Sequence, residues 1–197
     1  MPALEAMVLV IGIVGSPRRG GNTELVVKNA LEAAKSVGAD TDMIRLAEKR
    51  VEPCTACGAC GKTGKCVIDD DFMEVFERMS EADGLLFASP SYFESMSPQM
   101  KALIDRTGYY NSSAKGRKVF EGKVAGAMSV ARRTGLANVW TQQLLFILAQ
   151  KMIVPGITSY ANAIGGAPGD VLKDEEGMRT SRDIGIAVAK LAQRLKE

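Results

Sequence analysis

Four cysteines lie close together and carry the clearest chemical signal in the sequence. They form the pattern C-x2-C-x2-C-x5-C with Cys54, Cys57, Cys60 and Cys66. The gaps hold only Ala, Gly, Thr and Lys, so the backbone can wrap closely around one centre and direct N–H groups at sulfur. That is the arrangement of a cubane iron–sulfur site with four Cys ligands. Zinc bound by four sulfurs and bare or disulfide-forming thiols remain open, although zinc sites normally separate two C-x2-C pairs widely.

A glycine-rich loop over residues 15–23 offers a different chemistry, the binding of an anion. It follows an apolar run and precedes a predicted helix, whose first N–H groups and positive dipole end favour negative charge. It is not a Walker loop, because Gly21 stands where the lysine belongs, and G-x-G-x-x-G is absent. We favour a loop that binds a single terminal phosphate, such as that of FMN. The alternative is a plain turn between strand and helix that carries two solvated arginines. The predicted contacts are Ser16, Pro17, Arg18, Gly21, Asn22 and Thr23.

The 197 residues include no histidine, and this excludes several classes of function. A Ser-His-Asp triad, a Cys-His pair and a zinc site with His ligands are all impossible, whereas redox chemistry stays open. Lys+Arg number 25 and Asp+Glu 23, a balance that argues against nucleic-acid binding. The first apolar run is too short to span a membrane and lacks the features of a signal peptide, so we expect a cytoplasmic protein without a membrane partner. No catalytic side chain is assigned.

Strands and helices alternate along the chain. Strands are predicted at 8–14, 41–46, 83–88, 123–130 and 153–160, and helices at 23–37, 71–80, from Ser97 onward, 134–152 and near the end. This alternation predicts one α/β domain over residues 1–197, a flavodoxin-like doubly wound sheet of five parallel strands in the order 2-1-3-4-5 with helices on both faces. The cysteine segment, about 48–70, is the loop after the second strand. We expect the acidic run 69–71 only to cap the helix that follows it.

Ligands of such sheets bind at the carboxyl ends of the strands, so the loops after the third and fourth strands are further candidates. Backbone amides of the first of these loops suit the polar edge of a flavin, and its aromatic side chains could lie along a flat ring. Arginines in the second loop would stabilise negative charge on a reduced flavin. The candidates are Ser89, Pro90, Ser91, Tyr92 and Phe93, then Arg132, Arg133, Thr134 and Gly135.

These motifs together resemble the iron–sulfur flavoproteins, within the larger NADPH-dependent FMN reductase group. The resemblance is carried by residues 15–23, by the cysteine motif running into 67–71, by 89–93, and by 101–106, and it extends to 166–169 and the last helix. It implies FMN and one [4Fe–4S] cluster per subunit, with the phosphate held by Ser16, Arg18, Asn22 and Thr23. The flavin ring would then lie at 89–93, and the four cysteines would be the cluster ligands.

The resemblance also implies how the protein works and with what. Members of the family assemble as dimers or tetramers and pass electrons from ferredoxin-like donors to small acceptors. The sequence leaves a second function open, a cluster-free NAD(P)H-dependent FMN or quinone reductase of the same fold. A third, a non-enzymatic receiver or zinc-stabilised interaction module, is weak because the acidic residues of a receiver are missing after the first and third strands.

Overall fold

A computed structural model describes residues 7–197 as a sheet between two layers of helices. The strands are β1 (Leu9–Val14), β2 (Asp40–Arg45), β3 (Gly84–Tyr92), β4 (Ser95–Met96), β5 (Val124–Ala131) and β6 (Asn162–Ile164). The α-helices are α1 (Asn22–Ser36), α2 (Ala59–Thr63), α3 (Phe72–Glu81), α4 (Pro98–Lys115), α5 (Leu136–Ala149) and α6 (Glu175–Lys196). Two short 3-10 helices occupy Leu46–Glu48 and Asp170–Lys173.

The five parallel strands follow the order β2-β1-β3-β5-β6. Without the short β4, which pairs antiparallel with β3, this is the predicted flavodoxin-like order 2-1-3-4-5. β5 is buried along its whole length and β1 along all but its first residue, as expected where helices cover both faces of a parallel sheet. Val14 of β1 pairs with Ala88 of β3, so the carboxyl ends of the central strands meet at one edge.

Each face of the sheet has its own apolar core. On one face α3, α4 and α5 pack around Phe72, Phe76, Phe87 and Phe120, and on the other α1 packs against α6. The second contact is so close that a Cβ on Gly185 of α6 would lie 2.1 Å from the Ala30 carbonyl oxygen of α1. Only glycine fits there. Helix layers therefore cover both faces of the sheet behind the loops at its carboxyl edge.

The predicted last strand at 153–160 is misplaced. Ile153 forms only an isolated bridge with Val124, and the strand that completes the sheet is Asn162–Ile164. Pro155 has no N–H to donate to a sheet ladder, and the chain leaves the sheet there before it rejoins β5 through the bond from Ser129 N to Ala161 O. The predicted helix 134–152 is also shorter, because Gly135 and Lys151, both with positive φ, lie outside its two ends.

The prediction for the start of α4 is confirmed, and that for α3 holds through a different residue of the acidic run, because Asp70 rather than Asp71 accepts from Phe72 N at 3.1 Å. Ser97 is the N-cap of α4, its Oγ accepts from Met100 N at 3.3 Å, and Pro98 follows at the first position. At α3 the N-cap residue Asp71 makes no side-chain cap within the described chain, and its carboxylate instead accepts from Arg50 N at 2.7 Å. The acidic run 69–71 therefore closes the cysteine segment rather than only capping α3.

Candidate functional site

The loops that follow β1, β3 and β5 enclose a cavity of about 150 Å³ at the carboxyl edge of the sheet. We call it the inner cavity. Its walls contain most of the residues that the sequence predicted, together with four that it missed at the end of β5 and after β6. The predicted ones are Ser16, Arg18, Gly21, Asn22, Thr23, Pro90, Ser91, Tyr92 and Arg132, and the missed ones are Val130, Ala131, Gly165 and Gly166.

A second, more open cavity of about 360 Å³ adjoins the first. This outer cavity shares Ser91 and Arg132 with the inner one, so the two form neighbouring parts of one groove. Its other walls are Phe93, Glu94, Arg133 and Thr134. The groove thus runs from the first turn of α1 to the hairpin between β3 and β4, which brings the three predicted loops together.

The glycine-rich loop presents the open end of α1 to the inner cavity. Gly21 is the N-cap of α1, and in the described part of the chain no side chain caps the first turn. The Ser16 hydroxyl, which is buried, accepts a hydrogen bond from Arg18 N at 3.1 Å and fixes the curve of the loop. Uncapped N–H groups at a helix start and a guanidinium beside them are the donors that bind a phosphate.

Glu24, in the first turn of α1, anchors this loop through a hydrogen bond to its backbone. Its buried carboxylate accepts from Gly20 N at 2.8 Å and pairs with Lys28 at 2.8 Å and Arg45 at 3.1 Å. Burial raises the pKa of Glu24, but the hydrogen bonds from Lys28, Gly20 and Arg45 outweigh it and lower the pKa to about 2. The carboxylate is therefore charged at neutral pH, and its three partners neutralise that charge beside the anion-binding loop.

Ser89 does not line either cavity. It is fully buried, and its hydroxyl accepts from Ser97 N at 2.9 Å. The Ser97 hydroxyl in turn donates to the Gly15 carbonyl at 2.6 Å. This chain of bonds fastens the loops after β1 and β3 to the start of α4, so Ser89 acts beneath the cavity wall.

The side chain of Asn22 is also engaged by the protein. Its amide donates to Ala167 O at 2.9 Å, and its oxygen accepts from Gly169 N at 2.8 Å. A Cβ on Gly165 would lie 2.7 Å from the Asn22 nitrogen, which explains the glycine there. Asn22 therefore holds the loop after β6 against the inner cavity. The sequence signals for this loop are its glycines and the family resemblance over 166–169.

The hairpin between β3 and β4 is strained. Phe93 and Glu94 have φ of 47° and 66°, the left-handed pair that a two-residue hairpin turn requires and that Asn-Gly normally supplies. The Phe93 side chain is fully exposed over the outer cavity. A bulky residue that is both strained and exposed at a cavity is typical of a functional position.

The cysteine segment packs on the outer side of α4. Cys60 is buried, Cys54 and Cys66 are half-buried and Cys57 is exposed, and all four are free thiols. Burial and the neighbouring Cys66 and Cys54 raise the pKa of Cys60. The Ala59 N–H and the Thr55 hydroxyl lower the pKa of Cys57. The four thiols thus lie in one segment but differ in solvent exposure, and the pKa values of Cys57 and Cys60 shift in opposite directions.

The donor chemistry of this segment fits an iron–sulfur cluster. Cysteine sulfur is the ligand that such clusters take. Two of the sulfurs already accept hydrogen bonds: Cys54 Sγ from Ala56 N at 3.4 Å and Cys66 Sγ from Arg106 Nη2 at 3.1 Å. The buried Nε of Arg106 has no hydrogen-bond partner among residues 7–197. Yet the side chains of this same range form no group of three or more His, Cys, Asp or Glu that could hold a metal ion.

The sheet order and the groove at its carboxyl edge define the class of flavodoxin-like folds. A solved structure of a flavodoxin from the domain Archaea superposes on 95% of this chain and 99% of its own, with a TM-score of 0.62 at 14% identity. At that identity the likeness shows the fold. It agrees with the architecture predicted from the alternation of strands and helices.

Sequence comparisons identify the family. Residues 8–165 match the family described as NADPH-dependent FMN reductase. An iron–sulfur flavoprotein of Methanocaldococcus jannaschii is 40% identical over 95% of this chain and 99% of its own length. Another from Methanosarcina thermophila is 39% identical over 87% and 88%. The chain belongs to the iron–sulfur flavoproteins within the NADPH-dependent FMN reductase family, and it is a flavin-dependent oxidoreductase. This excludes the non-enzymatic module.

No helix in residues 7–197 is both long and apolar enough to cross a membrane.

Proposed function

We propose that this protein is an FMN-dependent electron-transfer oxidoreductase whose flavin lies in the groove formed by the inner and outer cavities. A [4Fe–4S] cluster at the four cysteines would relay electrons between a ferredoxin-like donor and FMN, which passes them to a small acceptor. The observation that carries the flavin site is the meeting of three predicted loops at one edge of the sheet. When bound, FMN supplies one- and two-electron chemistry, and the protein supplies binding and electrostatics.

The residues of the groove divide this work by position. Ser16, Arg18 and Thr23 lie at the start of α1, where the helix N-terminus favours a phosphate. Pro90, Ser91 and Tyr92 border the inner cavity, and Phe93 lies over the outer one, where a flat ring would bind.

Arg132 borders both cavities, and Arg133 and Thr134 line the outer one. Their charge and donors would stabilise a reduced, anionic flavin, and no proton-transferring imidazole is needed. Gly135 lies against Ser91, where a Cβ would come within 2.1 Å of the Ser91 Oγ, and Pro17 and Ser89 belong to the loops without lining the groove.

The four cysteines would be the cluster ligands, and Cys57 offers the cleanest test. Its side chain is exposed and contributes nothing to the core, so its loss should leave the fold intact. We expect Cys57→Ala to lose the iron and acid-labile sulfide of anaerobically purified protein while it retains FMN. Lys62→Ala, an exposed change in the same segment, is the matched control and should retain all three. Full iron and sulfide in Cys57→Ala would refute the ligand assignment.

A cluster-free NAD(P)H-dependent FMN or quinone reductase is the second candidate. It is favoured by the absence of a gathered metal-binding group among the side chains of residues 7–197 and by the NADPH dependence in the family's description. Rapid anaerobic oxidation of NAD(P)H by iron-free protein would support it. The four clustered cysteines are free thiols, which suits a reducing, cytoplasmic setting. By analogy with the family, we also infer that the protein forms a homodimer or homotetramer.

A further inference from the structure

Arg106 of α4 is the most deeply buried arginine beside the cysteine segment, and the flavin groove does not use it. Its side chain is 2% exposed and forms an ion pair with Asp70, whose side chain is fully buried. The guanidinium lies over the Phe72 ring, 4.2 Å from its centroid. Removing one partner of a buried ion pair leaves an uncompensated charge in the interior, so Arg106 and Asp70 depend on each other.

The pair fastens both ends of the cysteine segment to α4. At the start of the segment, Glu52 N donates to Asp70 at 2.8 Å and Arg106 Nη1 donates to Glu52 O at 3.1 Å. At its end, Arg106 Nη2 donates to Cys66 Sγ at 3.1 Å, and Asp70 accepts from Phe72 N at 3.1 Å. Glu52 lies two residues before Cys54. One guanidinium therefore joins the backbone two residues before the first cysteine to the sulfur of the last.

The same face of α4 supports the middle of the segment. Tyr110, one turn beyond Arg106, donates from its hydroxyl to Gly64 O at 2.8 Å. Gly61 lies against Ser113, where a Cβ would come within 3.5 Å. Residues at i, i+4 and i+7 share one helix face, so α4 forms a continuous platform beneath the cysteines. Arg106 is the only charged member of these three contacts.

We propose that Arg106, clamped by Asp70, is a positioning residue that closes the cysteine segment and supplies a fixed positive charge to the Cys66 sulfur. This inference rests on the proposed function only where it concerns a bound cluster; the closing of the segment is a property of the metal-free chain. A positive charge beside an anionic sulfur stabilises the reduced, more negative form of a bound iron–sulfur centre and so raises its reduction potential.

The test compares two variants. Arg106→Met removes the charge but keeps a side chain of similar length, and Arg106→Lys keeps the charge but loses the planar pair of Nη donors. Arg78→Met is the matched control, because Arg78 pairs with Asp42 at the surface away from the cysteines. In metal-free protein, amide hydrogen exchange at residues 50–54 and 66–72 should speed up about tenfold or more in both Arg106 variants, with the central strands unchanged. Unchanged exchange would overturn the clamp.

In anaerobically reconstituted protein, the midpoint potential of the iron–sulfur centre separates charge from shape. Arg106→Met should lower the potential by at least a tenfold change in the one-electron equilibrium, about 59 mV, and Arg106→Lys should restore more than half of that change. An unchanged potential in Arg106→Met would overturn the role of the charge. If wild-type protein takes up no iron, the proposed cluster fails, and the exchange experiment alone decides whether the clamp exists.

Discussion

Arg18 and Arg19 are neighbours of the same type, but the fold gives them different surroundings. Arg18 lines the inner cavity, and its N–H bonds to Ser16. Arg19 is 72% exposed and turns toward Glu48, 3.8 Å away. By residue type alone, either arginine could pair with a phosphate. Only Arg18 stands at the start of α1, so the electrostatic contribution to phosphate binding should come from that side chain.

This difference makes a prediction about two ligands that differ by one phosphate. A hydrogen bond to a charged group contributes about 1.5–3 kcal/mol, so Arg18→Ala should raise the dissociation constant of FMN about 10–150-fold. Riboflavin lacks the phosphate, and its affinity should stay unchanged. Arg19→Ala is the control and should bind both as wild type does. Titration of flavin-free protein by fluorescence measures all six constants, and an equal loss for riboflavin and FMN would contradict the assignment.

At the scale of elements, the junction between β5 and α5 determines where Ser91 of β3 lies. Gly135 ends the loop after β5 with φ of 87°, and a Cβ there would come within 2.1 Å of Ser91 Oγ. Ser91 belongs to both cavities. A substitution at Gly135 therefore strains the turn and displaces a wall of the groove on a different strand.

Gly122 allows these two effects to be separated. Its φ is 80°, close to that of Gly135, but nothing lies within 4 Å of a Cβ built there. We expect Gly122→Ala and Gly135→Ala each to lose about 1–2 kcal/mol of unfolding free energy from backbone strain. Only Gly135→Ala should also weaken FMN binding, by about tenfold or 1.4 kcal/mol. Equal FMN affinity in the two variants would show that Ser91 is not part of the site.

Local signals predicted the elements well and long-range contacts poorly. The buried strands and the helix start at Ser97 and Pro98 depend on residues that are neighbours in the sequence, and the structure confirms them. The apolar residues around Pro155 predict a strand at 153–160, but the last strand of the sheet begins only after Ala161. Asp70 and Arg106 are 36 residues apart, so no local pattern reveals that they meet. The carboxyl edge was predictable because parallel strands bring their ends together whatever the loops contain.

At the scale of the whole molecule, Glu24 joins the glycine-rich loop, α1 and β2 through Gly20, Lys28 and Arg45. Its pKa falls from 4.5 to about 2 on folding. A carboxylate whose pKa is depressed stabilises the folded state above its unfolded pKa, and this stability is lost as the pH falls through the folded value. The contribution is therefore complete at neutral pH and disappears between about pH 4.5 and pH 2.

Glu24→Gln should consequently lower the free energy of unfolding by up to about 3 kcal/mol at pH 7, from about 1.36 kcal/mol per pKa unit. Urea denaturation at pH 7 and pH 3 measures the gap between wild type and variant, and the gap should narrow in acid. Glu121→Gln removes an exposed pair with Lys151 and should cost less than about 1 kcal/mol at either pH. If the difference in free energy of unfolding between wild type and Glu24→Gln widened in acid, the proposed role of the ionised Glu24 carboxylate would be contradicted.

If one chain holds both FMN and an iron–sulfur cluster, the number of electrons that it accepts shows this most directly. In an anaerobic dithionite titration followed by absorbance, FMN accepts about two electrons and a [4Fe–4S] centre about one. We predict about three electrons per chain in protein purified without oxygen, with bleaching of a broad visible band beneath the flavin bands. An end point of about two electrons with flavin bands alone would contradict the cluster and leave a reductase that works with FMN only.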